Sequence, residues 1–324
     1  MKKRALLLFS EGLDSILAGK LLKAQDIEIV ALRFITPFFG WKWKGKEKDF
    51  DFYVREEFGF EAGVLEDITP NYLKMLAAPP HGYGSQFNPC IDCKVLMLRL
   101  AKEKLSETGA SFLVTGEVVG QRPMSQMRNM LRHLEKEAGV EELLLRPLSA
   151  RKLPETRPER EGLVLRDRLL DISGRGRKRQ LALARELGLR HIPSPAGGCL
   201  LTDPSLAPRL RRYFEIKDGK VTPLEAEILT FGRHFELSGG SWLVMGRQER
   251  ENRRLLELVA PGSLLLKIKD IPGPLGYLML EKDQKDLPEA ARLLKKYAPK
   301  ARGLEKVKVL LFRKGEEQKE TLEI

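Results

Sequence analysis

Short, almost unbroken apolar runs alternate with longer amphipathic stretches through the first half of the chain. The runs at 6–9, 27–35, 111–115 and 143–146 are short and show little polar alternation, which predicts strands buried on both faces. Helical spacing at 14–24 and 94–107 lies between them, so the pattern predicts β-α units around a parallel sheet, an α/β domain. The aromatic, lysine-rich stretch 34–60 is expected to be partly helical. After Pro204 the pattern changes to short strand-like runs, including 242–245 and 264–268, with turns at Ser238-Gly239-Gly240 and Pro272-Gly273-Pro274. Residues 307–312 predict a terminal strand, and the polar stretch 316–324 is expected to fray. Two domains follow, 1–204 and a smaller α/β domain at 205–324, which accords with a length of 324 residues.

Charge changes the picture more than composition does. The 57 Lys and Arg residues exceed the 45 Asp and Glu residues, leaving +12 at pH 7. Such a surplus attracts polyanions, so nucleic acid is the first partner to consider, with a basic surface of no functional meaning as the alternative. The excess concentrates between 146 and 190, where Arg175, Arg177, Lys178 and Arg179 form the densest cluster. The apolar run behind Met1-Lys2-Lys3-Arg4 is too short for a secretory signal, and no stretch approaches the roughly 18 apolar residues that span a bilayer. A cytoplasmic protein without membrane attachment is expected. Three cysteines, two of them in a Cys-x-x-Cys, suit metal or sulfur chemistry in a reducing compartment better than a disulfide framework.

Directly after the first predicted strand stands Ser10-Glu11-Gly12-Leu13-Asp14-Ser15, which opens into a helix. A turn in that position presents backbone N–H groups at the positive helix end, where phosphates bind. Ser10 and Ser15 add hydroxyls, and Asp14 can cap the helix or help to hold Mg²⁺. The spacing of a Walker loop is absent. The second cluster is Asn88-Pro89-Cys90-Ile91-Asp92-Cys93-Lys94, and the third cysteine ends Ser194-Pro195-Ala196-Gly197-Gly198-Cys199. Three thiolates can hold three irons of a cubane cluster and leave the fourth open. Persulfide relay is the alternative, as is a structural zinc site for which His191 is the nearest fourth ligand. His81, His133, His191 and His234 are scattered and read as surface or packing residues. The aromatic group Phe38, Phe39, Trp41 and Trp43 reads as a buried patch sooner than as a base-stacking platform.

The Ser10–Ser15 segment resembles the PP-loop signature Ser-Gly-Gly-x-Asp-Ser, matching it at five of six positions. That family cleaves ATP between the α and β phosphates. The departure is Glu11, where the family usually has glycine; a carboxylate there would repel pyrophosphate unless it points away or binds Mg²⁺. Thr115-Gly116-Glu117-Val118-Val119-Gly120-Gln121, continuing to Ser125-Gln126, is similar to a motif of tRNA 4-thiouridine synthases. With Pro-Cys-Ile-Asp-Cys it extends the resemblance to tRNA thiouridine synthases over residues 1–203. Cys93 and Cys199 stand at places like those of the two sulfur-handling cysteines of related 2-thiouridine enzymes, and Cys90 is extra.

The resemblance implies a PP-loop α/β fold, with ATP bound by Ser10, Gly12, Leu13, Asp14, Ser15, Gly116, Glu117 and Gln121, and Mg²⁺ beside it. It further implies a 4Fe-4S cluster on Cys90, Cys93 and Cys199, and catalysis by these cysteines with Asp14. tRNA would be the partner, lying along Arg122, Arg175, Arg177, Lys178 and Arg179, and sulfide or a sulfurtransferase would supply sulfur. Neither the RNA-capturing nor the terminal sulfurtransferase domain of the longer 4-thiouridine synthases is apparent, so those tasks are expected to be done otherwise. The region after Pro204, with Asp270-Ile271-Pro272-Gly273-Pro274, is similar to an RNA-binding module of ribosome-rescue proteins, the alternative being a stabilising appendage. A PP-loop enzyme that thiolates or amidates a small metabolite, and a non-catalytic RNA-binding protein with a structural metal, remain as other readings of the whole chain.

Overall fold

The computed structural model describes residues 3–123, 125–189, 191–193 and 199–324. The segment 194–198 that precedes the third cysteine therefore lies outside the described residues. The chain divides into two compact units, Met1–Ala207 and Pro208–Ile324.

In the first unit five strands, β1 (Arg4–Leu8), β2 (Glu28–Ile35), β3 (Ala62–Asp67), β4 (Phe112–Val114) and β5 (Leu144–Leu145), form a sheet in the order β3-β2-β1-β4-β5. Every neighbouring pair is parallel. The central strand shows why: Ala5, Leu6 and Leu7 are fully buried, so both faces of β1 need cover, and helices on both sides supply it. The helices are α1 (Leu13–Lys23), α2 (Glu47–Phe58), α3 (Thr69–Ala77), α4 (Cys90–Thr108), α5 (Arg128–Ala138), the single turn α6 (Arg157–Arg160) and α7 (Lys178–Glu186). The strand order reverses direction at β1, so the segments following β1 and β4 leave neighbouring strands at the same sheet edge. This is the crevice in which ligands of open α/β sheets bind.

One boundary matters for the chemistry. The helix expected from 94 begins four residues earlier, at Cys90 behind Pro89, with Asp92 in its first turn at the positive helix end. Cys90 and Cys93 are thus one helical turn apart and share a side of α4.

The second unit opens with α8 (Ala207–Ile216) and α9 (Pro223–Ile228). It then builds a six-stranded sheet from β6 (Arg233–Glu236), β7 (Trp242–Met245), β8 (Leu264–Ile268), β9 (Gly276–Leu280), β10 (Lys308–Arg313) and β11 (Lys319–Glu323), with α10 (Glu249–Leu258) and α11 (Leu287–Tyr297) between strands. The order is β11-β10-β8-β9-β7-β6, and all pairs are antiparallel. The tail expected to fray is instead the edge strand β11, paired with β10 from Lys308↔Glu323 to Phe312↔Lys319. Its charged side chains are those of an edge strand that faces water, while Leu322 and Ile324 pack on the core. Among the described residues no helix is long and apolar enough to cross a membrane.

Candidate active site

The turn between β1 and α1 is closed by its own side chains. Ser15 Oγ donates to the carbonyl of Gly12 at 2.8 Å, and Ser10 Oγ accepts from Gly12 N–H at 3.2 Å. The carbonyl of Gly12 also accepts from the N–H groups of Ser15 and Ile16, which starts the helix. The N–H groups of Glu11, Leu13 and Asp14 take no part in these bonds, as is usual for the first N–H groups at a helix start, where anions bind. Asp14 adds a carboxylate: one oxygen accepts from Gln121 Nε2 at 2.9 Å, while Oδ1 is buried without a hydrogen-bond partner. An orphaned buried carboxylate oxygen beside a phosphate loop fits a hard cation such as Mg²⁺.

Glu11, the residue that departs from the PP-loop pattern, has φ of +60°, a left-handed conformation in which glycine is free of strain. Its carboxylate points away from the loop's N–H groups. It pairs with Arg33 Nη2 at 3.2 Å and Lys42 Nζ at 2.7 Å, and accepts from the indole N–H of Trp43 at 3.1 Å. The repulsion feared from the sequence is thereby directed elsewhere. Sequence reading missed Arg33 and Lys42, because nothing in a strand arginine or a loop lysine signals which carboxylate it will meet.

The segment after β4 packs directly on this turn. A Cβ placed on Gly116 would lie 2.4 Å from the backbone carbon of Asp14 and from Ser15 N, so no larger residue fits without displacing the loop. Glu117, expected among the nucleotide ligands, is held inside the protein: Lys94 Nζ lies at 2.5 Å and Arg146 Nε at 3.0 Å. Burial opposes its charge, but the two cations outweigh burial and hold its pKa at about 2. Arg146, itself buried, also pairs with Glu135. Gln121 reaches Asp14, as noted. Exposed Arg122 follows, its N–H donating to Gln126 Oε1 at 3.1 Å.

The three cysteines are free thiols. Cys93 and Cys199 are both in hydrogen-bond contact with the hydroxyl of Tyr72, a fully buried residue of α3. Burial together with the neighbouring sulfurs pushes Cys93 up to about 12, and burial pushes Cys199 up to about 11. Cys90 is exposed and its sulfur accepts from Asn88 Nδ2 at 3.0 Å. The sulfurs influence one another's ionisation but do not all lie within 4.8 Å, the separation that a single ion would demand. A mononuclear tetrahedral site with Zn–S bonds of about 2.3 Å has S···S edges of about 3.8 Å. The wider spacing, with three thiols and, among the described residues, no fourth ligand grouped with them, fits a polynuclear cluster. Tyr72 was not legible in the sequence, where it reads as one more apolar position of α3.

An open cleft of about 390 Å³ is lined by Glu11, Arg33, Phe38, Phe39, Trp41 and Leu200 among others. Leu200, next to Cys199, donates its N–H to the carbonyl of Phe38 at 3.0 Å. Phe38 is buried, as expected, and Phe39 and Trp41 are half-buried at the cleft. On another side of the turn, Val119 bridges Ser173 and accepts from Gly174 N–H at 2.8 Å, which brings the start of the basic cluster beside the Gly116–Gln121 segment. Arg175 and Lys178 are exposed there and Arg177 is half-buried, whereas Arg179 is engaged with Asp171 at 2.7 Å. His234 is a packing residue, bonded to the Phe231 carbonyl and the Trp242 indole, with burial and Arg209 lowering its pKa to about 3.

Residues 1–152 match the family described as Thiamine biosynthesis protein (ThiI), and residues 232–324 match the NFACT protein RNA binding domain. No curated protein matches the sequence. Among solved structures, a 4-thiouridine synthetase in complex with RNA and ATP is 23% identical, with 69% of this chain aligned to 53% of that one at a TM-score of 0.39. The U34-tRNA thiolase NcsA from Methanococcus maripaludis, with its 4Fe-4S cluster, is 17% identical over 70% of each chain, at a TM-score of 0.34. The chain thus spans about half the length of the first of these.

Proposed function

We propose, from the premise that residues 1–152 match the ThiI family, that the protein is an ATP-dependent tRNA uridine sulfurtransferase. The observation that supports the reading is the turn at the start of α1, with its orphaned carboxylate oxygen, in the same unit as three free thiols that influence one another's ionisation. In the proposed reaction a uracil carbonyl oxygen attacks the α-phosphorus of ATP, the α–β bond breaks and pyrophosphate leaves. Sulfur at the sulfide level then adds to the activated carbon, and the original oxygen departs in AMP, with no net redox change.

The N–H groups of Glu11, Leu13 and Asp14 would bind the phosphates, and Asp14 Oδ1 would hold Mg²⁺. Gln121 fixes the Asp14 carboxylate, and Gly116 keeps the turn in place. Cys90, Cys93 and Cys199 would hold a 4Fe-4S cluster, which when bound would supply an iron able to carry sulfide-level sulfur from free sulfide or a sulfurtransferase. The raised thiol pKa values of Cys93 and Cys199 speak against a relay by free thiolates, which needs the ionised form. Arg122, Arg175, Arg177 and Lys178 bind the tRNA backbone, and the matched RNA-binding domain at 232–324 adds capture. A cytoplasmic setting suits both tRNA and free thiols.

The test is an anaerobic preparation assayed for iron, sulfide and zinc, followed by ATP-dependent formation of thiouridine in uridine-containing tRNA. About four irons with matching sulfide are expected, together with thiouridine and AMP in step and loss of both products in Asp14→Ala. AMP formation indifferent to tRNA would replace this reading with a small-metabolite enzyme. Salt-sensitive tRNA binding with no AMP, unchanged in Asp14→Ala, would leave only an RNA-binding protein.

A further inference from the structure

Away from the phosphate turn, three side chains converge where the segment between α3 and α4 meets α5. His81 lies in that segment, and His133 and Glu137 stand one turn apart on α5. His81 Nε2 and His133 Nε2 are 3.3 Å apart, and Glu137 Oε2 lies 3.4 Å from the first and 3.2 Å from the second. Among the described residues this is the one group of three histidine, cysteine or carboxylate ligands whose atoms all lie within 4.8 Å.

These distances match a known geometry. Zn–N bonds of about 2.0–2.1 Å and Zn–O bonds of about 2.0–2.2 Å, arranged tetrahedrally, set ligand edges of about 3.3–3.5 Å. All three observed separations fall at or within about 0.1 Å of that range. A hydrogen bond accounts for the His81–His133 contact but not for the glutamate. Glu137 Oε2 is buried and forms no hydrogen bond, although two imidazole nitrogens stand beside it. It lies on the line of neither N–H, so an anionic oxygen is desolvated with nothing placed to satisfy it. The other carboxylate oxygen is turned toward Arg99, whose Nη2 is 3.8 Å away.

The surroundings of His81 add an independent feature. Its Nδ1 lies 2.8 Å from Asp92 Oδ1, and its backbone N–H donates to Asp92 Oδ2 at 3.2 Å. Asp92 is buried in the first turn of α4. A carboxylate that accepts from Nδ1–H fixes the tautomer and leaves Nε2 as a lone-pair donor, beside His133 and Glu137. This is the arrangement by which metal-ligating histidines are oriented.

We propose that His81, His133 and Glu137 form a binding site for one divalent transition-metal ion of the zinc type, oriented through Asp92 and with its fourth position open to water. The nitrogen and oxygen donors separate it from the sulfur site of the three cysteines, and imidazole suits zinc. The site has a structural consequence. It ties residues 78–89, the segment that leads into Cys90, to α5, so the ion clamps the approach to the thiols. It stands on its own geometry and does not depend on the sulfurtransferase reading.

The experiment uses the full chain with Cys90, Cys93 and Cys199 all replaced by Ser, so that thiolates cannot compete for the probe. Co²⁺ is titrated anaerobically and followed in the visible, with Zn²⁺ then used to displace it. One equivalent is expected, with the visible bands of a four-coordinate ion and none of the charge-transfer absorption of a thiolate site. His133→Ala, an exposed position, is expected to abolish this equivalent, and Asp92→Asn to weaken binding about 10–100-fold. Absence of binding at micromolar Co²⁺, or binding that His133→Ala leaves intact, overturns the site. Should the triple serine variant fail to fold by circular dichroism, zinc per chain is counted in the wild-type protein and in His133→Ala. A difference of one equivalent supports the proposal, and equal zinc overturns it. A cluster that stabilises the fold only below the histidine range, with no response to metal, would hold a proton instead and would also overturn it.

Discussion

Replacing Glu11 by alanine and, separately, by glycine divides two energies that coincide at one residue. The left-handed backbone at φ +60° costs an L-residue about 1–2 kcal/mol and costs glycine nothing comparable. Against this stands the pairing with Arg33, whose guanidinium is 12% exposed and whose other contacts are few: Nη1 reaches the Phe9 carbonyl at 3.2 Å, and Nε has no partner. Removing one member of a fully buried pair costs about 3–5 kcal/mol. Lys42 is 66% exposed and adds little, and residual solvent at Arg33 lowers the figure to about 2 kcal/mol. Glu11→Ala loses the pairs and keeps the strain, so it is expected to be about 2 kcal/mol less stable than wild type. Glu11→Gly loses the pairs but sheds the strain, and should recover about 1 kcal/mol relative to alanine.

Urea unfolding followed by tryptophan emission measures this, with Trp242→Phe in every sample so that Trp41 and Trp43 report on the N-terminal unit alone. With a slope of about 2 kcal/mol/M, the two variants should differ by about 0.5 M in midpoint. Alanine equal to or more stable than glycine would refute the strain assignment. Both variants matching wild type would refute the pairing as well.

Three further outcomes are expected. Glu117 has a folded pKa depressed from 4.5 to about 2, so it contributes stability that is fully present above pH 4.5 and is lost as pH falls toward 2. That depression is worth about 3 kcal/mol, and acid unfolding of Glu117→Gln between pH 4.5 and 2 should be correspondingly flatter; an unchanged acid limb would contradict the assignment. Gly116→Ala should keep the fold by circular dichroism yet lower ATP-dependent AMP formation by on the order of 10²-fold, because the new Cβ displaces the turn; wild-type turnover would show that the contact is not needed. In metal-free protein at pH 8, Cys199, at about 11, has a thiolate fraction of roughly 10⁻³. Alkylation mapped by peptide mass should therefore mark exposed Cys90 well before half-buried Cys93 or Cys199, and equal labelling would refute the raised pKa of those two thiols.

What was legible in the sequence was whatever depends on periodicity and local chemistry. The strands at 242–245 and 264–268 have the observed bounds, because a continuous apolar run between turn residues admits few other structures. The strand, turn and helix around Ser10–Ser15 were legible because an apolar run, a glycine-bearing turn and helical spacing follow one another within twenty residues. Partnerships across the fold were not. Tyr72 at the thiols, Arg33 behind Glu11, and His81 with His133 are separated by tens of residues, and only the sheet order brings them together. The edge strand β11 was misread for a related reason: its polarity reads as disorder when the strand it pairs with is out of view.

Gly116 and Glu117 are consecutive, as are Cys93 and Lys94, and the Lys94–Glu117 pair joins the two couples. The turn between β1 and α1 rests against backbone at Gly116, so the path from that turn to a thiol-bearing helix runs through main chain and one ion pair between two largely enclosed side chains. In the proposed reaction the spacing between nucleotide and sulfur would consequently be a gauge fixed by chain length. Sequence drift elsewhere on α4 and β4 leaves it untouched, whereas a single residue inserted between Lys94 and Glu117 anywhere except the turn at Gly109 would put the two halves of that proposed reaction out of register.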